Sequence, residues 1–325
     1  DPANDEVKLA FDSIIQTYET RVDTWLRLDP KTRQLDPRVP AGFTIPGSNE
    51  RLALVSLAYQ STLGSKDLLG PKLREAIING NHAEAWFEIR YNSNSDTKHG
   101  DRRYAESDLF GLYDGANQPL TELEARNVLK VAARHQFDIV PYEAKFPPVG
   151  GIYISQDLSP AVGFLITHFG AGQSLQQAFV AFSLGGDPIQ GAESNDLLLG
   201  DTGHDILIGG GGDDLLRGEE GKDVYVYNSG DGNDTILDTD GQGVVMFDHQ
   251  MLVGGLKKQN ESVYKSFDGQ VTYEHSGSDL IVNGTLTIKD WQEGQFGIRL
   301  KDLPNDPEDN AQLPGATRSQ YLKVD

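Results

Sequence analysis

The most constraining feature of this 325-residue chain is a nine-residue repeat in which glycine and aspartate recur at fixed positions. Four consecutive segments, 191–199, 200–208, 209–217 and 218–226, align with the pattern Gly-Gly-x-Gly-x-Asp-x-U-x, where U is a large apolar residue. The sixth position is always aspartate and the eighth is leucine or tyrosine. A flexible linker of this composition has no reason to keep both positions in register, so the repeat predicts a stacked structure.

The repeating aspartates are suited to bind calcium. Glycine lets the backbone take positive φ and turn its carbonyl groups inward, while each carboxylate completes a shell of hard oxygen donors. One repeat is half a coil, so each ion is expected between repeats n and n+2 on the same edge, and a fifth turn at 229–236 brings the expected total to about three ions. The predicted calcium-binding residues are Asp196, Gly203, Asp205, Gly210, Gly212, Asp214, Gly221, Asp223, Gly230, Gly232 and Asp234.

The residues after each aspartate predict short strands with a narrow shared core. The apolar residue at the eighth position of each repeat points inward, and the anchors of the five turns are Leu198, Leu207, Leu216, Tyr225 and Ile236. Without calcium the stacked carboxylates repel each other, and so few apolar residues cannot offset the chain entropy. We therefore expect the segment to be disordered until calcium binds.

Residues 191–240 resemble the repeats-in-toxin (RTX) family, whose haemolysin-type repeats form a calcium-binding parallel β-roll. The first repeat departs from the pattern at Ala192 and Ser194, and the fourth departs at Glu219. The resemblance implies a bacterial protein that is secreted or held at the cell surface. It also implies the type I secretion machinery as a partner, with an uncleaved C-terminal signal, and a toxin role by family association alone.

Composition limits the other partners. The formal net charge of -21 argues against binding nucleic acid, which requires an excess of lysine and arginine. Cysteine is absent, so neither disulfides nor thiolate metal ligands are available. No apolar run approaches the roughly 18 residues of a membrane span, and no basic-then-apolar segment resembling a signal peptide opens the sequence. Because the first residue is Asp1 rather than methionine, we expect a fragment of a longer polypeptide.

The first half of the sequence predicts helices. Apolar residues spaced by about 3.6 positions indicate an amphipathic helix through residues 7–26, and a more buried helix begins near Glu50. Thr121 and Glu124 form a capping-box pattern that opens a helix through His135, and Pro141 is expected to lie in the linker that follows. Shorter helices are expected at 71–78, 82–91, 102–112, 161–169 and 175–184.

Residues 50–114 resemble the C-terminal lobe of phage-type lysozymes (endolysins). The resemblance is carried by segments 51–59, 73–79, 85–92 and 100–106, the last of which contains Arg102 and Glu106. In that fold these two side chains would be either structural ion partners or saccharide contacts. The catalytic glutamate of the family and its following β-hairpin have no counterpart in this sequence, and no pair of carboxylates suited to glycoside hydrolysis is recognisable. Whether the chain is an enzyme is left open, but the sequence favours a chain without enzymatic activity of its own.

The sequence therefore predicts a multidomain α and β protein in which a lysozyme-like α-helical domain precedes a parallel β-roll and a β-hairpin cap. The cap is indicated by strands at 262–267, 270–275, 280–282 and 285–288 around Asp-Gly and Asn-Gly turns. The predicted function is calcium binding coupled to folding outside the cell. One alternative is a peptidoglycan hydrolase with its catalytic glutamate outside this chain, and another is a cell-surface adhesion or glycan-binding module. The predicted divisions are a helical domain at 1–118, a helical connector at 119–187, the roll at 188–243, the cap at 244–302 and a loosely ordered tail at 303–325.

Overall fold

The chain forms two compact units, residues 1–171 and 172–325. Their boundary lies inside the segment 119–187 that the sequence analysis assigned to a connector; the finer divisions stay predictions. No helix in the described part of the chain has both the length and the apolar character that a membrane span requires. The computed structural model describes residues 2–63, 68–93, 100–115, 117–148, 153–170, 172–181, 188–259 and 261–303.

The first unit is helical, and the sequence predicts most of its helices. The helix expected at 71–78 has the predicted bounds, and the one expected at 82–91 ends in a π-helical turn at Glu88–Asn92. The helices are α1 (Pro2–Arg27), α2 (Asn49–Leu63), α3 (Pro71–Ile78), α4 (His82–Phe87), α5 (Gly100–Phe110), α6 (Glu122–Lys145) and α7 (Ile154–Phe169).

Helix α6 corrects the prediction that Pro141 lies in a linker. The Thr121 side chain accepts a hydrogen bond from the Glu124 N–H (3.1 Å), as the capping pattern predicts, but the helix continues past His135 with Pro141 inside it. Its last turns are held by Glu143, whose Oε1 accepts hydrogen bonds from the Tyr91 hydroxyl (2.9 Å) and the Ile154 N–H (3.0 Å). These tertiary contacts offset the backbone hydrogen bond that proline removes.

The second unit begins with a parallel β-roll made of two facing sheets. Successive strands alternate between the sheets, so that Leu197 pairs with Leu215 and Leu207 pairs with Tyr225, in each case 18 residues later. This register confirms that one nine-residue repeat is half a coil. The strands are β1 (Gln177–Val180), β3 (Asp196–Leu199), β5 (Leu215–Arg217) and β7 (Thr235–Ile236) in one sheet, and β2 (Pro188–Gln190), β4 (Ile206–Ile208), β6 (Asp223–Tyr227) and β8 (Gly243–Phe247) in the other.

Strand β1 corrects the helix predicted at 175–184. Phe179 pairs in parallel register with Leu198, and Ala178 and Val180 are buried. A four-residue apolar segment does not distinguish a strand from a helix, and the edge of β3 supplies the hydrogen-bonding partner that decides it. Residues 182–184 of the predicted helix lie outside the described residues.

The cap continues the larger sheet of the roll, because its strand β14 (Leu286–Ile288) pairs in parallel with β7. The two predicted hairpins are confirmed, as β11 (Tyr264–Lys265) pairs with β12 (Thr272–Ser276) and β13 (Asp279–Val282) pairs with β14, all antiparallel. One apolar core runs from Ile189 through the roll to Ile298 in the cap. The cap strands are β9 (Gln250–Met251), β10 (Gly254–Lys257), β11 (Tyr264–Lys265), β12 (Thr272–Ser276), β13 (Asp279–Val282), β14 (Leu286–Ile288) and β15 (Arg299–Asp302), with a 3-10 turn at Gln295–Gly297. The predicted tail from 304 lies outside the described residues.

Candidate calcium centre

The five predicted aspartates line the two edges of the roll, and all are at most 1% exposed. The turns before β3, β5 and β7 place Asp196, Asp214 and Asp234 along what we call the first edge. The turns before β4 and β6 place Asp205 and Asp223 along the second edge. The structure thus brings the predicted carboxylates together in two ladders.

Backbone hydrogen bonds connect each aspartate to the next one on its edge. Oδ1 of Asp214 accepts from the Asp196 N–H at 2.8 Å, and Oδ1 of Asp234 accepts from the Asp214 N–H at 3.1 Å. On the second edge, Oδ1 of Asp223 accepts from the Asp205 N–H at 2.9 Å. These bonds fix one oxygen of each acceptor carboxylate between two turns.

The second oxygen of two of these carboxylates has no hydrogen-bond partner among the described residues. These atoms are Oδ2 of Asp214 and Oδ2 of Asp223, and both are fully buried. A buried charged oxygen without a partner is costly, so a native structure that contains one calls for an explanation such as a bound ion. The donor set fits a hard cation such as calcium.

The glycines of the motif bring backbone carbonyl groups to the same edges. Gly221 has φ +152°, and a Cβ at this position would overlap the carbonyl oxygen of Gly203 in the turn one coil earlier. Gly232 has φ +128° and lies in the same way against the carbonyl of Gly212. Gly230 also has positive φ, but the space around it is open. Positive φ and close backbone approach explain why glycine is needed here.

Burial sets the charge state of these carboxyl groups. Loss of solvent is the largest cause that raises the pKa of Asp214, Asp223 and Asp234 to about 7. Backbone hydrogen bonds lower each pKa, and neighbouring carboxylates raise it further. Near neutral pH the centre therefore favours either protons or a cation.

In the first repeat both oxygens of the aspartate accept hydrogen bonds from its own turn. The Ser194 hydroxyl donates to Oδ1 of Asp196 at 2.7 Å, and the Ala192 N–H donates to Oδ2 at 2.6 Å. These are the two positions where the sequence departs from glycine. Of the five aspartates, Asp196 is accordingly less open to an ion than Asp214.

The repeat frame extends one unit further upstream than the four predicted repeats. Segment 182–190 has glycine, aspartate and isoleucine at the fourth, sixth and eighth positions, which a search without the leading glycines would have found. Ile189 is 5% exposed and pairs with Leu207, so it takes the place of the apolar anchor. Asp187, at the sixth position, lies outside the described residues.

Arg102 and Glu106, named for the lysozyme resemblance, form a structural ion-pair cluster. Glu106 is 3% exposed, and its carboxylate lies 3.2 Å from Nε of Arg102 and 2.8 Å from Nη1 of Arg103. The Ser56 hydroxyl donates to the same carboxylate at 2.5 Å. Oε1 of Glu106 thus contacts Ser56 on the neighbouring helix α2 and Arg102 on its own helix, while Oε2 faces Arg103 on the same helix.

Two facing parallel sheets with buried aspartates and carbonyl groups along both edges define the class of calcium-binding β-rolls. Residues 185–225 match the family model of the RTX calcium-binding nonapeptide repeat, with four copies. The search of curated proteins gave no match to this chain. RTX nonapeptide repeats bind calcium, so the RTX resemblance is confirmed over these residues. Within the described residues no group of three or more His, Cys, Asp or Glu side chains forms a metal site, and backbone carbonyl groups would have to complete the shell.

Proposed function

We propose that this chain is the calcium-binding module of an RTX exoprotein that leaves a bacterium by type I secretion and folds when it meets extracellular calcium. The observation that carries the proposal is the pair of buried, unpartnered oxygens on Asp214 and Asp223. RTX repeat proteins are typically secreted bacterial proteins, which supports the proposed location.

The protein's part in calcium binding is to hold oxygen donors between stacked turns. Bound calcium would neutralise the repulsion within each ladder and allow the coils to close. Three inter-turn hydrogen bonds join consecutive aspartates, and each marks one pair of turns. Three such pairs support a content of about three ions for this part of the roll. Because the unfolded chain lacks these pairs, the free energy of calcium binding becomes free energy of folding.

The central position of Asp214 on the first edge provides the test. Asp214 contacts both neighbouring turns, whereas both oxygens of Asp196 are already hydrogen bonded within its own turn. In an Asp214→Asn variant we expect the calcium concentration at the midpoint of folding to rise about tenfold or more, because a charged ligand shared by two sites is lost. The matched control, Asp196→Asn, should shift this midpoint less. Far-ultraviolet circular dichroism of the chain, titrated from chelator into millimolar calcium, measures both.

The proposal would be supported if calcium increased the β-structure of the unmodified chain and if this gain needed more calcium in Asp196→Asn and the most in Asp214→Asn. If calcium left the spectrum of the unmodified chain unchanged, and calorimetry detected no bound ion, the proposed function would be wrong.

A second candidate, a glycan-binding or adhesion module, is favoured by one feature of the helical unit. A groove of about 460 Å³ runs along one face of α1 and is lined by Thr20, Thr24, Trp25 and Arg33 among others. An aromatic ring beside hydroxyl and guanidinium groups suits a saccharide. Co-sedimentation of the chain with isolated peptidoglycan would support this candidate. Analysis of the products released from peptidoglycan by a longer chain, which includes the residues upstream, tests the hydrolase alternative.

A further inference from the structure

The carboxylate ladder of the second edge ends after Asp223. Parallel pairing places Asp223 beside Gly243, in the register position where the preceding coil places Asp205 beside Asp223. Gly243 has φ +97°, and a Cβ there would overlap the backbone of Asp223. Residue 243 therefore cannot supply the carboxylate that another ion site in this ladder would need.

The Tyr225 hydroxyl lies where that carboxylate would be. In the pair of turns that carries Asp214 and Asp234, a Cβ on the first glycine, Gly209, would contact Oδ2 of its own Asp214 and Oδ2 of Asp234 in the next turn. The equivalent Cβ on Gly218 would contact Oδ2 of its own Asp223 and the hydroxyl oxygen of Tyr225. The phenol oxygen thus takes the position that the Asp234 carboxylate oxygen has beside Gly209.

This hydroxyl is hydrogen bonded to both sides of the turn. It accepts from the Gly218 N–H at 2.9 Å and donates to Oδ2 of Asp238 in a short hydrogen bond. Oδ1 of Asp238 in turn accepts from the N–H groups of Asp240 (2.9 Å) and Gly241 (2.6 Å). The last turn of the second edge is therefore connected to the next one through protein groups alone.

A second tyrosine ends the first edge. The carbonyl groups of Gly203 and Gly212 each face a glycine of the following coil. Gly232 belongs to the last repeat on its edge, so its carbonyl group faces no further repeat. Its carbonyl accepts a hydrogen bond from the Tyr227 hydroxyl at 2.7 Å. Tyr225 and Tyr227 lie two residues apart on β6 and both are buried, so one strand reaches the ends of both ladders.

The cap holds the first of these tyrosines in place. The Phe296 ring packs edge-on against Tyr225 with centroids 5.7 Å apart, and the Phe296 N–H donates to the Gly241 carbonyl at 2.9 Å. Gly241 follows Asp238 in the same turn, so the cap contacts both the donor and the acceptor side of the closure.

We propose that the hydroxyls of Tyr225 and Tyr227 terminate the two calcium ladders, each replacing the ion that would follow, so that the C-terminal end of the roll closes without calcium. The inference rests on the proposed calcium function for the ions that precede this end. A fourth ion held by Asp223, Asp238 and Asp240 is the competing outcome.

Hydrogen exchange of the full chain in saturating calcium, where the roll is folded, tests the closure at its C-terminal end. We expect segment 218–223 to stay protected in the unmodified chain and to exchange about tenfold faster in Tyr225→Phe, because one buried hydrogen bond is lost. The matched control is Tyr273→Phe, whose hydroxyl accepts from the Gly254 N–H in the same core but touches neither ladder. It should leave exchange in 218–223 unchanged.

Calcium stoichiometry, measured by calorimetry, supplies the second readout. We expect the same number of bound ions in the unmodified chain, in Tyr225→Phe and in Asp238→Asn. The second variant is included in case Tyr225→Phe does not fold, because asparagine still offers an acceptor for the Tyr225 hydroxyl. The loss of one ion in Asp238→Asn would overturn the proposal in favour of a fourth site. Equal exchange of 218–223 in the unmodified chain and in Tyr225→Phe would also overturn it. Failure of the chain to bind any calcium would instead contradict the proposed function, while the effect of Tyr225→Phe on exchange would still decide the closure.

Discussion

At the scale of single residues, the roll depends on carboxylates kept where water cannot reach them. Asp214 is 1% exposed and Asp223 is 0% exposed, and each uses one oxygen to hold the backbone of the preceding coil. The other oxygen is left to a cation or a proton. The same residues therefore fix the turn geometry, and we expect them to destabilise the metal-free roll at neutral pH.

The raised pKa values predict how pH acts on the metal-free roll. Asp214, Asp223 and Asp234 have pKa values of about 7 in the folded roll, against 3.8 for an ordinary aspartate. Between these values the folded state binds more protons than the unfolded state, so its stability falls as the pH rises from about 4 to about 7. Circular dichroism in chelator should show β-structure being lost over this range.

In saturating calcium the pH effect should be reversed, because calcium binds the ionised carboxylates, and protons displace it only at a pH below the metal-free pKa values of about 7. Metal-free β-structure that grew with rising pH would contradict the assigned burial of these groups.

At the scale of elements, the strands of the roll are too short to be stable alone. Strands β4 and β5 have three residues each, and what holds them is stacking between coils, with Leu207 and Leu216 buried in the common core. The turns determine how closely the coils approach. The glycine positions are therefore as important for stability as the aspartates.

Two glycines separate the effect of backbone conformation from that of close approach. Both Gly221 and Gly230 have positive φ, but a Cβ at Gly221 would overlap the Gly203 carbonyl while the space at Gly230 is open. We expect Gly230→Ala to lower the free energy of unfolding by about 1–2 kcal/mol through backbone strain alone. Gly221→Ala should lower it by several kcal/mol.

Denaturant unfolding in saturating calcium measures this difference. Equal losses in the two variants would mean that the Gly203–Gly221 approach is looser than the structure shows.

At the scale of the whole molecule, calcium is expected to act on one of the two units. The helical unit is stabilised by apolar packing and by buried ion pairs such as Arg74 with Asp36 (3.0 Å) and Arg51 with Asp23 (2.9 Å). The second unit carries the two carboxylate ladders.

Calorimetry of the full chain should accordingly show two unfolding transitions, of which chelator lowers only one. Helical circular dichroism should follow the calcium-independent transition. A single transition that moves as a whole with calcium would show instead that the two units unfold together.

The roll could be predicted from the sequence alone because its register is local: through four repeats the aspartate and the apolar anchor recur every nine residues, and no distant partner is needed to recognise them. The same applies to the hairpins around Asp268-Gly269 and Asn283-Gly284, where the turn residues set the pairing. Tertiary structure alone decided the features that depend on partners far along the chain. Helix α6 continues through Pro141 because of contacts with Tyr91 and Ile154, and β1 is a strand because β3 offers a free edge. The Tyr225 and Tyr227 hydroxyls occupy the ends of the ladders only once the coils are stacked, so no pattern in the sequence could show it.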